Sequence, residues 1–297
     1  MKKKIRVGIL FGGRSAEHEV SLQSAKNVIS AINKKKYDIV LIGIDKKGRW
    51  HPGDSTHLML NDDDPRRISL SSSKEELSVM PGDGEELLIS RGKSSSIGKI
   101  DVVFPVLHGT YGEDGTVQGL LKLLNIPFVG ADILGSAACM DKDTAKRLMR
   151  DADITTAHFC VYRKGEKLDF NTIKKELGLP FFIKPANLGS SVGISKVKDK
   201  NEFIKAASLA FKYDKKIIIE EYIPGREIEC AVLGNEDPIA SVPGEVIVQH
   251  EFYSYEAKYL DENGARLEIP AHIPVKTAKK IQETAIKAVK NLCCEGM

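Results

Sequence analysis

The sequence has few cysteines, and their arrangement matches neither a disulfide framework nor a zinc site. The chain of 297 residues contains five cysteines. The number is odd, and no two of them have the C-x-x-C spacing of a metal-binding pair. We therefore expect reduced thiols in or near the cores at all five positions, which are Cys139, Cys160, Cys230, Cys293 and Cys294.

A long apolar run is also missing from the amino terminus. The opening "MKKKIRVGILFGG" has basic residues followed by an apolar stretch of only a few residues. Such a stretch is too short for a secretion signal or a membrane span. We expect a cytoplasmic protein with no membrane partner.

Neither sign of charge dominates the chain. The 44 lysines and arginines and the 41 aspartates and glutamates leave 44 − 41 = +3, and both signs are interspersed. A broad positive surface for a polyanion is not expected, which argues against nucleic acid as a partner. The length is sufficient for two or three domains of about 100–150 residues each, which permits an active site between domains.

The first part of the chain predicts an α/β domain with a parallel sheet. Residues 5–10 and 38–44 are short β-branched runs, and residues 21–31 between them have helical periodicity, as in a βαβ unit. Residues 101–107 predict a further buried strand. Residues 45–99 lack sustained periodicity and are rich in Asp, Ser, Gly and Pro, which predicts a surface connection with a hairpin.

Two smaller units are predicted after residue 131. The segment "PFFIKPA" predicts a strand that enters a glycine-rich turn, and "VGISKV" predicts the strand that returns from it. The segment "KIIIEEYIPGREIECAVLG" predicts a pair of strands around a Pro-Gly turn. Helices are predicted over residues 141–150, 171–177, 202–211 and 275–291.

The stretch "KPANLGSSVG" has the composition of a phosphate-binding loop. Its glycines, Gly189 and Gly193, would let backbone N–H groups approach a ligand closely. Ser190 and Ser191 add hydroxyl donors, and Lys184 adds a positive charge. Neither G-x-x-x-x-G-K-[ST] nor a G-x-G-x-x-G before a helix is present, so the stretch is not a P-loop or a Rossmann turn. A Gly-Ser turn without a ligand would fit the same residues.

Two further lysines resemble Lys184 in lying beside turns or element ends. They are Lys142 in "MDKDTAK" and Lys258 in "EAKY". A single lysine of this kind is usually a solvated charge. Three of them around a flap could hold the phosphates of a nucleotide, although spacing in the sequence does not show that they converge.

Six segments together resemble the D-alanine–D-alanine ligases of the ATP-grasp superfamily, from about residue 4 to the last residue. They are "GILFGGRSAEHEVSLQSA", "VLHGTYGEDGTVQGLL", "ACMDKDTAKRLM", "FIKPANLGSSVGISKV", "EEYIPGREIECAVLG" and "FYSYEAKYLDENG". The resemblance implies an α/β fold, the three-domain ATP-grasp architecture with an N-terminal parallel-sheet domain. The implied domains are residues 1–131, the central ATP-grasp subdomain 132–216, and an incomplete C-terminal ATP-grasp subdomain 217–297.

The resemblance also implies a reaction. ATP phosphorylates the carboxylate of one D-alanine, and the amine of a second D-alanine attacks the acyl phosphate. The product, D-alanyl-D-alanine, is a precursor of peptidoglycan, and ADP and phosphate are released. The enzyme's task in such a reaction is to position the reactants and to neutralise the charge of the phosphoryl group. A homodimer is implied as well.

By the same resemblance, most of the candidate site residues bind ATP. Lys142 and Lys184 match lysines on the α- and β-phosphates, and Lys258 matches a lysine that a closing loop brings near the γ-phosphate. Ser190 and Ser191 belong to a flap that covers the phosphates and excludes water. The other nucleotide residues are Glu220 and the backbone of Glu221 and Ile223 at the adenine, and Glu227 at the ribose.

Four residues are expected near the amino acids. Glu17 follows the first strand, at the edge where open α/β sheets bind ligands, and matches the family's partner of the first D-alanine ammonium. His108 ends another strand and is expected on the same rim, although it could simply bond to backbone. Tyr259, Ser190 and Glu17 match a hydrogen-bonded triad that ties the closing loop to the flap. A tyrosine at position 259 is also the family's mark of D-alanine, rather than D-lactate, as second substrate.

The resemblance is incomplete where ATP-grasp enzymes bind Mg²⁺ (or Mn²⁺). Their metal ligands lie in segments such as "R-x-D" and "N-E-x-N-x-x-P-G", and neither occurs here. The sequence ends in "NLCCEGM", so we expect the metal ligands beyond Met297 and none within this chain. On that expectation, these 297 residues alone lack ligase activity.

Two other functions remain open from the sequence. One is a nucleotide-binding or regulatory protein without ligase chemistry. The other is a different ATP-grasp ligase that joins another carboxylate to another amine. The "EHEVS" and "YEAKY" segments, with Tyr259, argue against the latter.

Overall fold

The described part of the protein forms two compact units. The computed structural model describes residues 3–53, 59–60, 67–71, 75–79, 88–90, 97–248 and 264–297. The units are Met1–Ile133 and Leu134–Met297. The finer division at residue 216 stays a prediction. No helix in these ranges is long and apolar enough to cross a membrane.

The first unit is built on a six-stranded sheet. Its elements are β1 (Ile5–Gly12), α1 (His18–Ala31), β2 (Tyr37–Ile44), β3 (Trp50–Gly53), β4 (Met59–Leu60), β5 (Ser69–Leu70), β6 (Leu77–Val79), β7 (Leu88–Ser90), β8 (Val102–Leu107) and α2 (Thr116–Leu123). The strand order is β7-β6-β3-β2-β1-β8, and β4 pairs separately with β5. β1 is parallel to both β2 and β8, which confirms the predicted βαβ unit.

β1 is apolar along most of its length because helices cover both faces of the sheet at this point. Ile9, Leu10 and Phe11 are fully buried. Leu10 packs in one cluster with Leu121 of α2, and Ile9 and Phe11 pack in another with Leu22 of α1. A parallel strand between two covering layers is expected to read as a continuous hydrophobic run. The carboxyl ends of β1 and β8 therefore lie side by side at one edge of the sheet.

The prediction for residues 45–99 is wrong in one respect, because part of this connection belongs to the sheet. β3 pairs antiparallel with β2, and Trp50 of β3 lies opposite Leu77 of β6. β6 also pairs antiparallel with β7, as the predicted hairpin requires. These strands are only three or four residues long, which is too short for periodicity to reveal them. The open edge of β2 decides where they pair.

The second unit contains three sheets and five helices among its described residues. They are α3 (Ile133–Met140), which begins at its boundary, α4 (Lys142–Asp151), β9 (Phe159–Arg163), α5 (Phe170–Leu177), β10 (Phe181–Pro185), β11 (Ser195–Val197), α6 (Lys200–Tyr213), β12 (Lys216–Glu221), β13 (Glu227–Glu229), β14 (Val232–Leu233), β15 (Ile239–Ala240), β16 (Gly244–Val248), β17 (Ala265–Glu268) and α7 (Val275–Asn291). The sheets are β11-β10-β12-β9, β13-β16-β17 and β14-β15.

The four-stranded sheet carries the main core of the second unit. Its β10 and β11 are antiparallel neighbours, so the predicted strand pair around the glycine-rich turn is confirmed. Helices α5 and α6 contribute side chains to the same cluster as the buried face of β10 and β12. The ring of Phe181 lies 6.3 Å from that of Phe170 and 6.1 Å from that of Phe203, and Phe181 is fully buried. This core holds the carboxyl end of β10 in place beside β12.

Two features near this sheet differ from the prediction. The segment around the Pro-Gly turn does form strands, but β12 and β13 belong to different sheets and do not pair with each other. The chain therefore crosses from one sheet to the next at this turn. The sequence pattern also does not indicate α3, because "ILGSAACM" is small and apolar and lacks the polar face of a typical surface helix.

Removing the cap of α6 should destabilise the second unit moderately. The carboxylate of Asp199 accepts hydrogen bonds from the backbone N–H groups of Asn201 (2.8 Å) and Glu202 (2.9 Å). We expect Asp199→Ala to lower the free energy of unfolding by about 1 kcal/mol, since a lost N-cap costs about 0.5–2 kcal/mol. Urea unfolding would measure it. Asp199→Asn keeps an acceptor and should stay close to the parent; equal losses in both variants would contradict the capping explanation.

Candidate active site

A cavity in the second unit collects most of the residues predicted to bind a nucleotide. It has a volume of about 750 Å³ and lies between the strand ends of β10 and β12, the turn after β12, and β16. Six of its lining residues are predicted site residues, namely Lys184, Ser191, Glu220, Glu221, Ile223 and Glu227. A cavity of this size falls within the range of small-molecule sites.

Glu220 is the centre of a charge cluster at the inner end of this cavity. It is buried, and one carboxylate oxygen accepts from the ammonium of Lys184 while the other lies 2.5 Å from Lys146 Nζ. Burial acts against ionisation of Glu220, but the charges of Lys184 and Lys146 outweigh it and hold its pKa below the usual value. The pair of oxygens therefore orients two lysines at once.

Lys146 was not among the predicted site residues. It follows Lys142 by four positions on α4, and residues four apart on a helix share a face. That spacing in "MDKDTAK" is the signal that could have identified it. Its side chain is only 15% exposed, which distinguishes it from the solvated lysines of the surface.

Lys142 is held by the loop that follows β10. Its backbone N–H donates to Ala186 O at 3.0 Å, and its ammonium donates to the carbonyl of Leu188. Burial, and then repulsion from the nearby ammonium of Lys184, lower the pKa of Lys142 to about 8. The negative charges of Asp214, Glu220 and Asp141 act in the opposite direction on this pKa, so Lys142 lies close enough to both Lys184 and Glu220 to interact with them electrostatically.

The loop between β10 and β11 has a strained backbone. Ser190 and Ser191 have φ values of 47° and 61°, in the left-handed region that residues other than glycine rarely adopt. Such strain persists only where the surroundings impose it, and it is frequent at ligand-binding loops. Ser191 lines the cavity. The two hydroxyl-bearing residues are therefore held in a conformation that the fold, rather than local preference, imposes.

Gly193 in this loop is required for close packing as well as for its positive φ angle. Its φ is 72°, and a Cβ atom at this position would come within 2.8 Å of the Tyr213 ring and 2.9 Å of Pro185. The sequence suggests that this glycine lets a ligand approach. The contacts give a different reason, because the neighbours of Gly193 are α6 and β10 of the same unit.

The turn after β12 forms one wall of the cavity. The Glu221 carboxylate accepts from the backbone N–H of His158 at 2.8 Å, and the Glu221 N–H donates to His158 O at 3.0 Å. Tyr222 lies under the ammonium of Lys196, 4.3 Å from the ring centroid, and Ile223 is 61% exposed. An exposed apolar side chain beside this hydrogen-bonded strand end provides a surface against which a flat ring can stack.

An ion pair that the sequence did not suggest contributes to the opposite side of the cavity. Arg226 donates to both carboxylate oxygens of Glu245, at 2.7 and 2.5 Å, and also to His272 O at 3.1 Å. Both residues line the cavity. Because a two-point Arg–carboxylate contact fixes both side chains, this pair holds the start of β13 against β16.

Glu17 and His108 lie at the carboxyl edge of the parallel strands in the first unit, as expected. Glu17 is buried and comes directly before α1. A Cβ atom on Gly109 would come within 2.5 Å of Glu17 Oε2, so only glycine lets this carboxylate approach the β8 loop. His108 Nε2 lies 2.9 Å from Ser24 Oγ, which rules out the simple backbone-bonded alternative for that nitrogen.

Glu113 is a second carboxylate at this edge and was not predicted. Its Oε2 accepts from the Gly109 N–H at 2.6 Å, and its Oε1 lies 4.0 Å from His108 Nδ1. Partial burial, together with the negative charge of Glu17, raises the pKa of Glu113. Its position in "HGTYGEDG", five residues after His108, is the signal that could have identified it.

Lys258 and Tyr259 lie outside the described residues, so the predicted triad and the third phosphate lysine stay predictions.

In the described ranges, no group of three or more His, Cys, Asp or Glu side chains could hold a metal ion. The two buried carboxylates of the cavity, Glu220 and Glu245, are paired with lysines and with Arg226. The described residues therefore do not fit a magnesium site.

Two of the five cysteines depart from the expectation of thiols in or near the cores. Cys139 and Cys293 are exposed and Cys294 is half-buried, as are Cys160 and Cys230. All five are free thiols.

Two family models match the chain. They are described as the D-ala D-ala ligase N-terminus, over residues 6–131, and the D-ala D-ala ligase C-terminus, over residues 148–297. Among curated relatives, the D-alanine–D-alanine ligase of Oceanobacillus iheyensis is 54% identical and covers 100% of this chain and 81% of its own length. The D-alanine–D-alanine ligase A of Salmonella typhimurium is 51% identical, with coverage of 99% and 81%.

Solved structures of similar proteins agree with this assignment. The VanG D-Ala:D-Ser ligase from Enterococcus faecalis has a TM-score of 0.82 at 37% identity, covering 99% of this chain and 84% of its own. The D-alanine–D-alanine ligase from Coxiella burnetii has a TM-score of 0.81 at 35% identity, covering 99% and 79%. The ligase from Bacillus anthracis complexed with ATP has a TM-score of 0.67 at 26% identity, covering 98% and 79%. By sequence and by fold, this chain belongs to the D-alanine–D-alanine ligase family.

Proposed function

We propose that this chain carries out its family's reaction, the ATP-dependent joining of two D-alanines into D-alanyl-D-alanine for peptidoglycan synthesis. The observation that carries the proposal is the cavity lined by Lys184, Glu220 and the turn after β12, with Lys146 on the second carboxylate oxygen of Glu220. Identity of 50–54% to curated D-alanine–D-alanine ligases, over 99–100% of this chain, supports D-alanine as the second substrate.

The triphosphate lies along the ammonium groups of Lys142 and Lys184. Both are positioned by the protein before ligand arrives, Lys184 by Glu220 and Lys142 by the carbonyl of Leu188. Donors that are already oriented stabilise charge on a phosphoryl group without reorganisation during the reaction. Ser190 and Ser191 supply hydroxyl groups from the loop above, and Lys258 approaches the γ-phosphate.

The adenine lies against the wall formed by Ile223, and the ribose lies near Glu227. Glu220 and the backbone of Glu221 and Ile223 provide the polar contacts of the adenine. Each carboxylate oxygen of Glu220 has two acceptor sites, so a lysine on each leaves one open for the exocyclic amine. The role of Glu220 is then twofold, since it positions lysines and accepts from the base.

The first D-alanine binds at the edge that carries Glu17. Its ammonium pairs with the Glu17 carboxylate, and its carboxylate attacks the γ-phosphorus of ATP, which releases ADP and leaves an acyl phosphate. The amine of the second D-alanine then attacks the acyl carbon, and phosphate leaves. His108, with Ser24 and Glu113 beside it, contributes to the polar rim. Tyr259, Ser190 and Glu17 close the loop over the intermediate, which protects it from water.

Three further properties are proposed from the family alone. ATP would be used with Mg²⁺ or Mn²⁺, which would neutralise charge on the phosphates during transfer. The described residues do not supply ligands for that ion. The protein is a cytoplasmic homodimer.

A direct test is to incubate the purified protein with ATP, Mg²⁺ and D-alanine and to measure ADP, phosphate and dipeptide. D-alanyl-D-alanine and ADP in equal amounts, formed only in the presence of D-alanine, would support the proposed reaction and would overturn the expectation that these 297 residues alone lack ligase activity. D-alanine offered with D-serine should still give mainly the D-alanine homodipeptide. ATP binding without any D-alanine-dependent product would favour a nucleotide-binding protein instead, and a different condensation product would favour another ligase.

The affinity for ATP should fall as pH rises through the pKa of Lys142. That pKa is about 8 without ligand, below the ordinary value of 10.5, and a bound phosphate raises it by favouring the charged form. Binding above pH 8 therefore takes up a proton, and we expect Kd to rise about tenfold between pH 7 and pH 9. Isothermal titration in buffers of different ionisation enthalpy measures both the Kd and the number of protons taken up on binding. Lys142→Arg stays charged and should lack this dependence; an unchanged pH profile in that variant would contradict the assignment.

A further inference from the structure

Two cysteines that lie 155 positions apart in the sequence are in direct contact in the second unit. Cys139 Sγ and Cys294 Sγ are 3.3 Å apart. Cys139 is in the last turn of α3, and Cys294 lies in the turn that follows α7. No function proposed above uses either thiol.

The backbone holds these two segments together independently of the sulfur atoms. A Cβ atom on Gly135 of α3 would come within 2.5 Å of Cys293 O, so the helix and the turn are packed as closely as glycine allows. The turn itself is fixed by hydrogen bonds from Cys294 N to Val289 O (3.0 Å) and from Cys293 N to Lys290 O (3.3 Å). The thiol contact is therefore a property of the fold rather than of two mobile side chains.

We propose that Cys139 and Cys294 are a dithiol that is oxidised reversibly to a disulfide by exchange with a low-molecular-weight disulfide. A disulfide bond is about 2 Å long, so the sulfur atoms have to close by little more than 1 Å. Cys139 is exposed, which gives a reagent access to the pair. The inference does not depend on the proposed nucleotide site.

The exchange takes two steps. The Cys294 thiolate attacks one sulfur of the reagent R–S–S–R, the reagent's S–S bond breaks, and RS⁻ leaves with the electron pair. The Cys139 sulfur then loses its proton and attacks Cys294 Sγ in the mixed disulfide, which breaks that bond and releases the second RS⁻. The two cysteines lose two electrons and two protons, and the reagent gains them as two RSH.

Cys294 is the nucleophile of the pair. A hydrogen bond from the Cys139 thiol lowers the pKa of Cys294 to about 7, against the opposing effect of burial. The same contact, together with burial, raises the pKa of Cys139. Because the thiolate is the reactive form, attack begins at Cys294 and Cys139 resolves the mixed disulfide.

The test is to incubate the whole protein with oxidised glutathione, to block remaining thiols by alkylation, and to map peptides without reduction. The free thiols should fall from five to three. One cross-linked peptide should join Cys139 to Cys294, and dithiothreitol should reverse it. The oxidised protein should melt about 5 °C or more above the reduced protein, because a cross-link over a long loop restricts the unfolded chain. Retention of all five thiols would overturn the proposal.

Matched cysteine variants assign the pair. Cys293→Ser should still form the cross-link, whereas Cys139→Ala should stop at a mixed disulfide between glutathione and Cys294. A cross-link through Cys293, or a disulfide between two molecules on a non-reducing gel, would also overturn the proposal. The peptide map of the unsubstituted protein decides the matter even where a variant fails to fold.

Discussion

Lys184→Met should weaken ATP binding about 100-fold, since charge-assisted hydrogen bonds contribute about 1.5–3 kcal/mol each and 1.4 kcal/mol corresponds to a factor of ten. Lys184 carries the ammonium that Glu220 holds at the inner end of the cavity. Methionine keeps an unbranched apolar stem and removes the ammonium group. Isothermal titration with ATP, or with a non-hydrolysable analogue, measures the loss.

The same substitution should leave the fold intact. Glu220 keeps its contact with Lys146 at 2.5 Å, so the buried carboxylate is not left without a counter-charge. Lys205→Met, at an exposed position on α6, removes one positive charge from the same unit and is the matched control. If both variants bind ATP as tightly as the parent, Lys184 does not contact the phosphates. If both lose affinity equally, the effect is one of net charge.

Glu17→Gln should raise the Kd for the first D-alanine about 100-fold, because a buried carboxylate paired with an ammonium contributes about 2–3 kcal/mol more than a neutral amide. Glu17 is only 6% exposed, and its carboxylate lies close to Gly109. Water therefore has little access to take over the contact with the ammonium. ATP affinity should not change. Titration of D-alanine in the presence of a non-hydrolysable ATP analogue measures the effect without relying on turnover.

A neighbouring glutamate provides the control for this prediction. Glu19 lies two residues further along, in the first turn of α1, where it pairs with Lys46 at 2.5 Å on the surface. Glu19→Gln should leave D-alanine affinity unchanged. The two variants change the same helix end and the same net charge, so a loss in Glu19→Gln equal to that in Glu17→Gln would refute a specific contact.

Several parts of the fold follow from local sequence pattern alone. β1, α1 and β2 alternate between β-branched and helical periods, and their order predicts a parallel sheet. The β10–β11 pair is recognisable because its connecting loop is bounded by two strand-like runs and contains glycine. In each case the signal of an element lies within that element, which is at most 14 residues long, and backbone preference and burial point to the same structure.

Other parts could not be read from such windows. β6 gives no local signal, since a three-residue strand is stabilised by the edge it joins rather than by its own residues. β12 and β13 resemble a hairpin in sequence, and only the available sheet edges assign them to different sheets. Lys146 and Glu113 were overlooked for a similar reason, because an exposed charge and a site charge look alike until burial is known.

The sequence by itself determined the family, the α/β class, and the residue types that can bind ATP and an amino acid. Only the tertiary structure decided which of them meet: Lys184 and Lys146 on one carboxylate, and Cys139 against Cys294. The physical reason is that residue type and periodicity are local properties, whereas contact, burial and charge interaction depend on which strands and helices pack together across long separations in the chain.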